Sequence, residues 1–255
     1  MTTHPAYGVP RPVTPQATVL LADNPGPMTL DGTNTWLLAP SGGTPTVVVD
    51  PGPADEAHLA RVAGLADVRL VLITHGHHDH TDGSRRLREL TGAPVRAADP
   101  AHCLGGEPLR DGEEVEGLRV LATPGHTMDS VCLALPGDGG VLTGDTVLGR
   151  GTTVIMHPEG SLGAYLGSLR ALADFPAGTP VLPGHGPDLG SLPDVAREYL
   201  AHREQRLDQV RAALATLGPD ATARQVVEVV YADVDRSLWW AAEHSVAAQL
   251  AHLRG

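Results

Sequence analysis

Thr74-His75-Gly76-His77-His78-Asp79-His80-Thr81-Asp82-Gly83 places four histidines and two aspartates within ten residues. Inside it, His75, His77, Asp79 and His80 form a His-x-His-x-Asp-His pattern. This mixture of borderline-soft imidazoles with a hard carboxylate suits zinc and, less selectively, iron or manganese. The preceding run Arg69-Leu70-Val71-Leu72-Ile73 reads as a buried strand. His75 and His77 therefore fall on the loop leaving its C-terminal end, two residues apart and able to point together. Asp79 and His80 follow just before a helix expected over Ser84 to Leu90.

Three further strand ends carry a candidate donor in the same way. Leu118 to Ala122 leads through Thr123-Pro124-Gly125 to His126. Val141-Leu142-Thr143-Gly144 leads to Asp145, and Val181-Leu182-Pro183-Gly184 leads to His185. In each case glycine precedes the donor, which lets backbone approach closely and turn sharply. A single histidine beside glycine is usually a turn or core residue, and His4, His58, His78, His102, His157, His202, His244 and His252 are read so. Seven donors on four strand ends are hard to explain by packing.

The chain has 255 residues, enough to bury a core without disulfides or metal. Cys103 and Cys132 lack CxxC spacing and read as ordinary residues of a reducing compartment. No basic-then-apolar leader precedes Pro15 and no apolar run is long enough for a membrane span. A cytoplasmic location is expected. The formal net charge of -12, with all 18 basic residues arginine, opposes broad attraction to nucleic acid. One Phe, four Tyr and three Trp supply few base-stacking platforms. Neither a Gly-x-Ser-x-Gly elbow nor a Walker loop is present.

Strands are expected over Thr35–Leu38, Thr46–Val49, Arg69–Ile73, Val95–Ala98, Leu118–Ala122, Val131–Leu135, Gly140–Leu142 and Pro180–Leu182. Helices are expected over Ala54–Leu65, Ser84–Leu90 and Leu162–Ala173, which points to two mixed sheets covered by helices. From Pro193 the texture becomes continuously helical: Ala196–Leu217, Thr222–Tyr231 and Leu238–Leu253. The expected organisation is a catalytic domain, 1–192, and a C-terminal helical appendage, 193–255, which completes the packing of the main domain.

His75-x-His77-x-Asp79-His80, followed in order by His126, Asp145 and His185, resembles the metallo-β-lactamase fold. Asn24 to Thr35, Gly144 to Thr153, Pro183 to Pro187 and Tyr199 to Arg203 resemble its beta-lactamase-like protein 2 group. The resemblance implies an α/β protein, an αββα sandwich with a small winged-helix-like C-terminal appendage. It implies two metal ions, zinc before iron or manganese. His75, His77 and His126 would bind one; Asp79, His80 and His185 the second; Asp145 would bridge both.

A metal-dependent hydrolase using a hydroxide that bridges the two ions is the expected enzyme. Asp79 is the candidate to orient that hydroxide and pass on a proton. Asn34, Arg150 and Thr152 are candidate substrate contacts. The Tyr199–Arg206 face, with His202 beside Arg206, either reaches the cleft or packs, and packing is the expectation. Resembling fungal proteins act as thioesterases on carrier-bound polyketides, so an ester, thioester or lactone, small or carrier-bound, is the expected substrate. The alternative is an endoribonuclease acting on single-stranded RNA, as animal members of the group do, with Arg150, Arg203 and Arg206 as a phosphate track. The chain ends soon after its last helix, so a longer C-terminal extension used for nucleic acid is not expected. A non-catalytic metal-binding effector module comes third.

Overall fold

In the computed structural model the described residues are 7–137 and 139–255; the reading of His4 lies outside them. The first sheet runs in spatial order through β1 (Arg11–Thr14), β2 (Ala17–Leu21), β3 (Asn34–Leu38), β4 (Val47–Val49), β5 (Leu70–Leu72) and β6 (Val95–Arg96). The second has the order β11-β10-β9-β8-β7, from β7 (Glu114–Val115), β8 (Leu118–Ala122), β9 (Val131–Ala134), β10 (Val141–Gly144) and β11 (Val181–Pro183). The helices are α1 (Glu56–Leu65), α2 (His78–Thr81), α3 (Ser84–Thr91), α4 (Leu162–Ala173), α5 (Leu192–Leu217), α6 (Ala223–Val230) and α7 (Trp239–Arg254).

Alternation along the strands builds the layers. Val47, Val49, Leu70 and Leu72 face Leu118, Val120, Leu133 and Leu142 of the other sheet in one buried cluster. Val48 and Val71 point the opposite way, onto Leu59 and Val62 of α1 and Leu87 of α3. On the far side, Cys132, Val141 and Val181 pack under Leu162, Tyr165 and Leu169 of α4 and Leu192 and Ala196 of α5. Both faces of the central strands are covered, which is why they read as unbroken apolar runs. The result is an αββα sandwich.

Three strands differ from expectation. β1, β2 and β7 were not anticipated, because prolines at 10, 12 and 15 and the two-residue length of β7 hide the strand pattern. β1 pairs only with β2 and forms the sheet edge, where proline is tolerated. The long helix α5 starts at Leu192 with Pro193 in its first turn, a position where the missing N–H costs nothing.

β4 to β6 run parallel to one another, as do β10 and β11, and β8 shares their direction because it lies antiparallel to β9, itself antiparallel to β10. The C-terminal ends of β8, β10 and β11 therefore emerge together. Val131 N–H donates to Thr74 O at 2.8 Å, tying the end of β5 to that same edge. Beyond its midpoint α5 leaves the sandwich, and Val210 and Ala213 form a separate core with Val226, Trp239, Val246 and Leu250 of α6 and α7. Among the described residues no helix is long and apolar enough to cross a membrane.

Candidate metal centre

All seven expected donors converge on this edge. His75 and His77 leave β5, Asp79 and His80 sit on the single-turn α2, His126 follows β8, Asp145 follows β10 and His185 follows β11. His77 Nδ1 lies 3.0 Å from His75 Nε2 and 3.1 Å from His126 Nε2. On the other side His80 Nε2 and His185 Nε2 are 3.2 Å apart, with Asp79 Oδ2 at 3.4 and 3.1 Å from them. Asp145 sits between the groups, Oδ2 3.7 Å from His126 Nε2 and 3.5 Å from His185 Nε2. Three overlapping triads, His75/His77/His126, His75/His80/Asp145 and Asp79/His80/His185, each keep their donor atoms within 4.8 Å of one another.

The outer hydrogen bonds settle which ring nitrogens carry protons. His126 Nδ1 faces Val154 O at 2.8 Å and His185 Nδ1 faces Gly32 O at 3.0 Å; a carbonyl only accepts, so both nitrogens donate. His80 Nδ1 donates to Asp50 Oδ2 at 2.8 Å. Thr74 Oγ1 donates to the same carboxylate at 2.7 Å and so accepts from His75 Nδ1 at 3.0 Å. In their neutral form, rings held this way would turn four Nε2 lone pairs inward, where they repel one another unless a proton or a metal ion lies between them. Asp145 Oδ1 is buried without a hydrogen-bond partner. A Cβ at residue 184 would stand 2.6 Å from that oxygen, so Gly184 keeps the space open. These residues fit a metal pair.

Electrostatics of the metal-free site agree. Burial disfavours a charged His80, but Asp50, Asp145 and Asp79 outweigh it and push its pKa up to about 10. His185 is raised too: burial opposes, while Asp145 and the Asp79 bond prevail. His75 is driven well down by burial and then by its cationic neighbours, and His126 is lowered chiefly by burial. For Asp79, burial works upward, yet His185 and His80 hold the carboxyl far below its usual range. The pocket concentrates negative charge and recruits protons where it could recruit metal.

Asp50 was missed from sequence. It follows β4, is 1% exposed, takes the left-handed φ of 52°, and accepts from Thr74 N–H at 2.8 Å as well as from Thr74 Oγ1 and His80. One carboxylate thus orients a histidine in each half of the centre. The signal was an acid at a strand end, Val47-Val48-Val49-Asp50, masked because no glycine precedes it and Pro51-Gly52 follow.

The three expected substrate contacts fall in different places. Asn34 is buried, and its amide donates to Pro183 O at 2.9 Å and Gly186 O at 2.8 Å. It braces the turn carrying His185 and does not line the cleft. Arg150 and Thr152 do line an 80 Å³ cavity over His126 and Asp145, together with Met28 and Leu30. Arg150 is paired with Asp31. Arg203 is buried and donates to Thr153 O, so Arg150, Arg203 and Arg206 form no free phosphate track. Tyr199 packs as expected, its hydroxyl accepting from Leu148 N–H and donating to Gly151 O. His202 and Arg206 on the same helix do more than pack, for they line a second cavity.

Of the remaining histidines, His58 bonds Thr35 Oγ1 at 2.9 Å, His78 is exposed beside Asp82, and His102 stands where a side chain at Gly76 would collide. None of these joins the donor triads.

Comparison with known proteins supports the architecture. The family profile described as Metallo-beta-lactamase superfamily matches residues 28–185, and Beta-lactamase associated winged helix domain matches 222–254. The Beta-lactamase-like protein 2 homolog of Drosophila melanogaster is 33% identical, over 92% of this chain and 86% of that protein. An atrochrysone carboxyl ACP thioesterase of Aspergillus chevalieri is 36% identical over 80% of this chain and 67% of its own length. This chain spans 70% of the lactamase-like protein aptB of Emericella nidulans and 62% of adaB of Aspergillus niger. A beta-lactamase domain protein from Burkholderia ambifaria superposes with a TM-score of 0.82 at 24% identity, covering 99% of this chain and 90% of its own. A protein solved in a di-iron-bound form reaches 0.55 at 29% identity, over 65% of this chain and 92% of that one. From the profile match, the Drosophila relative and the donors gathered at one sandwich edge, the chain belongs to the metallo-β-lactamase superfamily.

Proposed function

We propose that the chain is a metal-dependent hydrolase with two metal ions, zinc first, acting on an ester or thioester of a small-molecule or carrier-bound acyl group. The observation that carries this is the set of inward Nε2 atoms around Asp145 Oδ1, which accepts no hydrogen bond and lies 3.5 Å from His80 Nε2. His75, His77 and His126 would hold one ion, Asp79, His80 and His185 the other, and Asp145 both. Metal bound there would acidify water and polarise a carbonyl oxygen, supplying a nucleophile and an electrophile without Ser or Cys.

The protein's own residues do the positioning. Asp50 and Thr74 fix the tautomers and ring planes of His75 and His80, while Gly32 O and Val154 O do the same for His185 and His126. Of the two donor carboxylates, Asp79 is the more open, with its side chain 26% exposed against 10% for Asp145. That exposure supports a role in which Asp79 would take a proton from water and return it to solvent. Thr33 Oγ1 lies 3.4 Å from Asp79 Oδ2 and steadies it.

An acyl substrate is favoured over RNA by the charge of -12 and by the pairing of Arg150 with Asp31. The thioesterase name of one relative supports the same direction. The test is metal analysis by mass spectrometry, then side-by-side turnover of a thioester, a lactone, a phosphodiester and single-stranded RNA. Cleavage of the thioester, lost on chelation, is expected; RNA cleavage alone would replace this reading.

A further inference from the structure

The cavity over Asp145 and His126 has a neighbour. Pro27, Met28, Thr152, Thr153 and Val154 line it and also line a second cavity of about 300 Å³. The far walls of this second space come from α5, the segment between α6 and α7, and the start of α7. Its volume is at the lower end of the roughly 300–1,000 Å³ of small-molecule sites. At ~30 Å³ for each water-sized group it admits on the order of ten heavy atoms.

One wall is apolar. Met28, Leu238 and Trp240 are 37%, 46% and 44% exposed, and all three border this space along with Val234. Large apolar side chains left open together mark a binding surface more often than a solvated one. The opposite wall is cationic and under-used. Arg203 is 4% exposed, donates to Thr153 O, lies over the Tyr165 ring at 5.3 Å from its centroid, and leaves Nε without a partner. Arg206 lies over the Tyr231 ring, 4.9 Å from its centroid, and donates to neutral Gln209. His202 Nδ1 is buried with no partner. Among the described residues neither Arg203 nor Arg206 forms an ion pair with a carboxylate, although the chain as a whole is strongly acidic.

We propose, resting on the acyl-hydrolase reading above, that this cavity takes the acyl part of the substrate and selects one with an apolar body and a carboxylate at its far end. The body lies against Met28, Val234, Leu238 and Trp240, and the carboxylate pairs with Arg206 and His202. Two observations carry the assignment. The cavity adjoins the one over the metal donors, the two sharing five lining residues, so it is the neighbouring space for the acyl chain of a carbonyl held at the donors. A guanidinium without a carboxylate partner and an imidazole nitrogen without any, beside an apolar wall, are completed by an anion, since a charge-assisted pair offsets desolvation each group has already undergone.

The test compares N-acetylcysteamine thioesters of octanoate and of suberate, its dicarboxylate of equal chain length, on the metal-loaded full chain. The suberoyl substrate is expected to show a KM about tenfold lower, the scale of one hydrogen-bonded charge pair. Arg206→Gln should close that gap, Arg206→Lys should restore part of it, and Ala241→Trp, which fills the space, should raise KM for both. Equal KM values in the wild type, or a gap that survives Arg206→Gln, would overturn the proposal. Titration calorimetry of free octanoate and suberate separates this from the hydrolase reading. If neither thioester is cleaved, tighter suberate binding that is lost in Arg206→Gln still supports the cavity assignment. Absence of any preference for suberate refutes it, as does a single-stranded oligonucleotide that displaces suberate and is cleaved. Circular dichroism on each variant checks folding, and Ala241→Trp serves if Arg206→Gln does not fold.

Discussion

Asp50 is the residue on which both halves of the centre lean. Asp50→Ala removes the acceptor for His80 Nδ1–H, Thr74 N–H and Thr74 Oγ1–H at once. Loss of such an outer partner lowers metal affinity about 10- to 100-fold. Competition with a fluorescent chelator measures this, and an affinity within twofold of wild type would contradict the role. Gly184→Ala puts a methyl 2.6 Å from Asp145 Oδ1 and 2.8 Å from His80 Cε1, so the variant should fold and lose metal stoichiometry, read by mass spectrometry. Cys132 makes an opposite case. Burial raises its thiol to about 11, so it should resist alkylation at pH 8 in the native state and react only on unfolding.

His58 extends the residue scale to pH. Burial, opposed by Asp55, lowers its pKa below the ordinary 6.5, so the folded state prefers the neutral ring bonded to Thr35. Its contribution to stability is present above pH 6.5 and is lost as pH falls through the folded value. His58→Gln should therefore flatten the decline of denaturant midpoint between neutral pH and pH 5. An unchanged slope would remove His58 from that dependence.

At the scale of elements, α5 links the sandwich to the C-terminal helices. Its 26 residues span about 39 Å at 1.5 Å each. Its first half seats Tyr199 over Leu148 and Gly151, in the loop that follows Asp145. Tyr199→Phe deletes the hydroxyl and leaves Leu148 N–H and Gly151 O short of a partner, at a cost of about 1–3 kcal/mol. Chemical denaturation measures it, and a change below ~0.5 kcal/mol would mean that the loop stands without α5. The helix was legible in its Arg-, Glu-, Ala- and Leu-rich texture, and α4 was legible to its end residues in the stripe Leu162, Tyr165, Leu166, Leu169 and Leu172. β1 was not, since an edge strand with proline carries no two-sided apolar signature; nor was β7, whose two residues are too few to show a period.

For the molecule as a whole, the buried clusters between and outside the sheets involve none of the metal donors. Removing metal should therefore abolish turnover while the far-UV circular dichroism persists, with a lowered Tm because an ion bound only to the native state stabilises by mass action. Unfolding of the chelated protein at 25 °C would show instead that metal holds the sandwich together.

Spacing along the chain was enough to single out His75, His77, Asp79, His80, His126, Asp145 and His185, which the fold gathers at one edge. Each follows an apolar run whose end is a local property, marked by a turn residue beside the donor. Other features depend on contacts that no local pattern records. Asp50 reaches Thr74 and His80 across 24 and 30 residues, His185 finds Gly32 O across 153, and Asn34 closes on Gly186 across 152. Those distant partners set which nitrogen of each ring faces inward, and they turn Asn34 from a cleft residue into a brace. The contacts of Tyr199 with Leu148 and Gly151 seat α5 so that His202 and Arg206 line the second cavity. A donor's identity is written where it stands; its direction is set by the hydrogen bonds and cavity walls that folding brings to it.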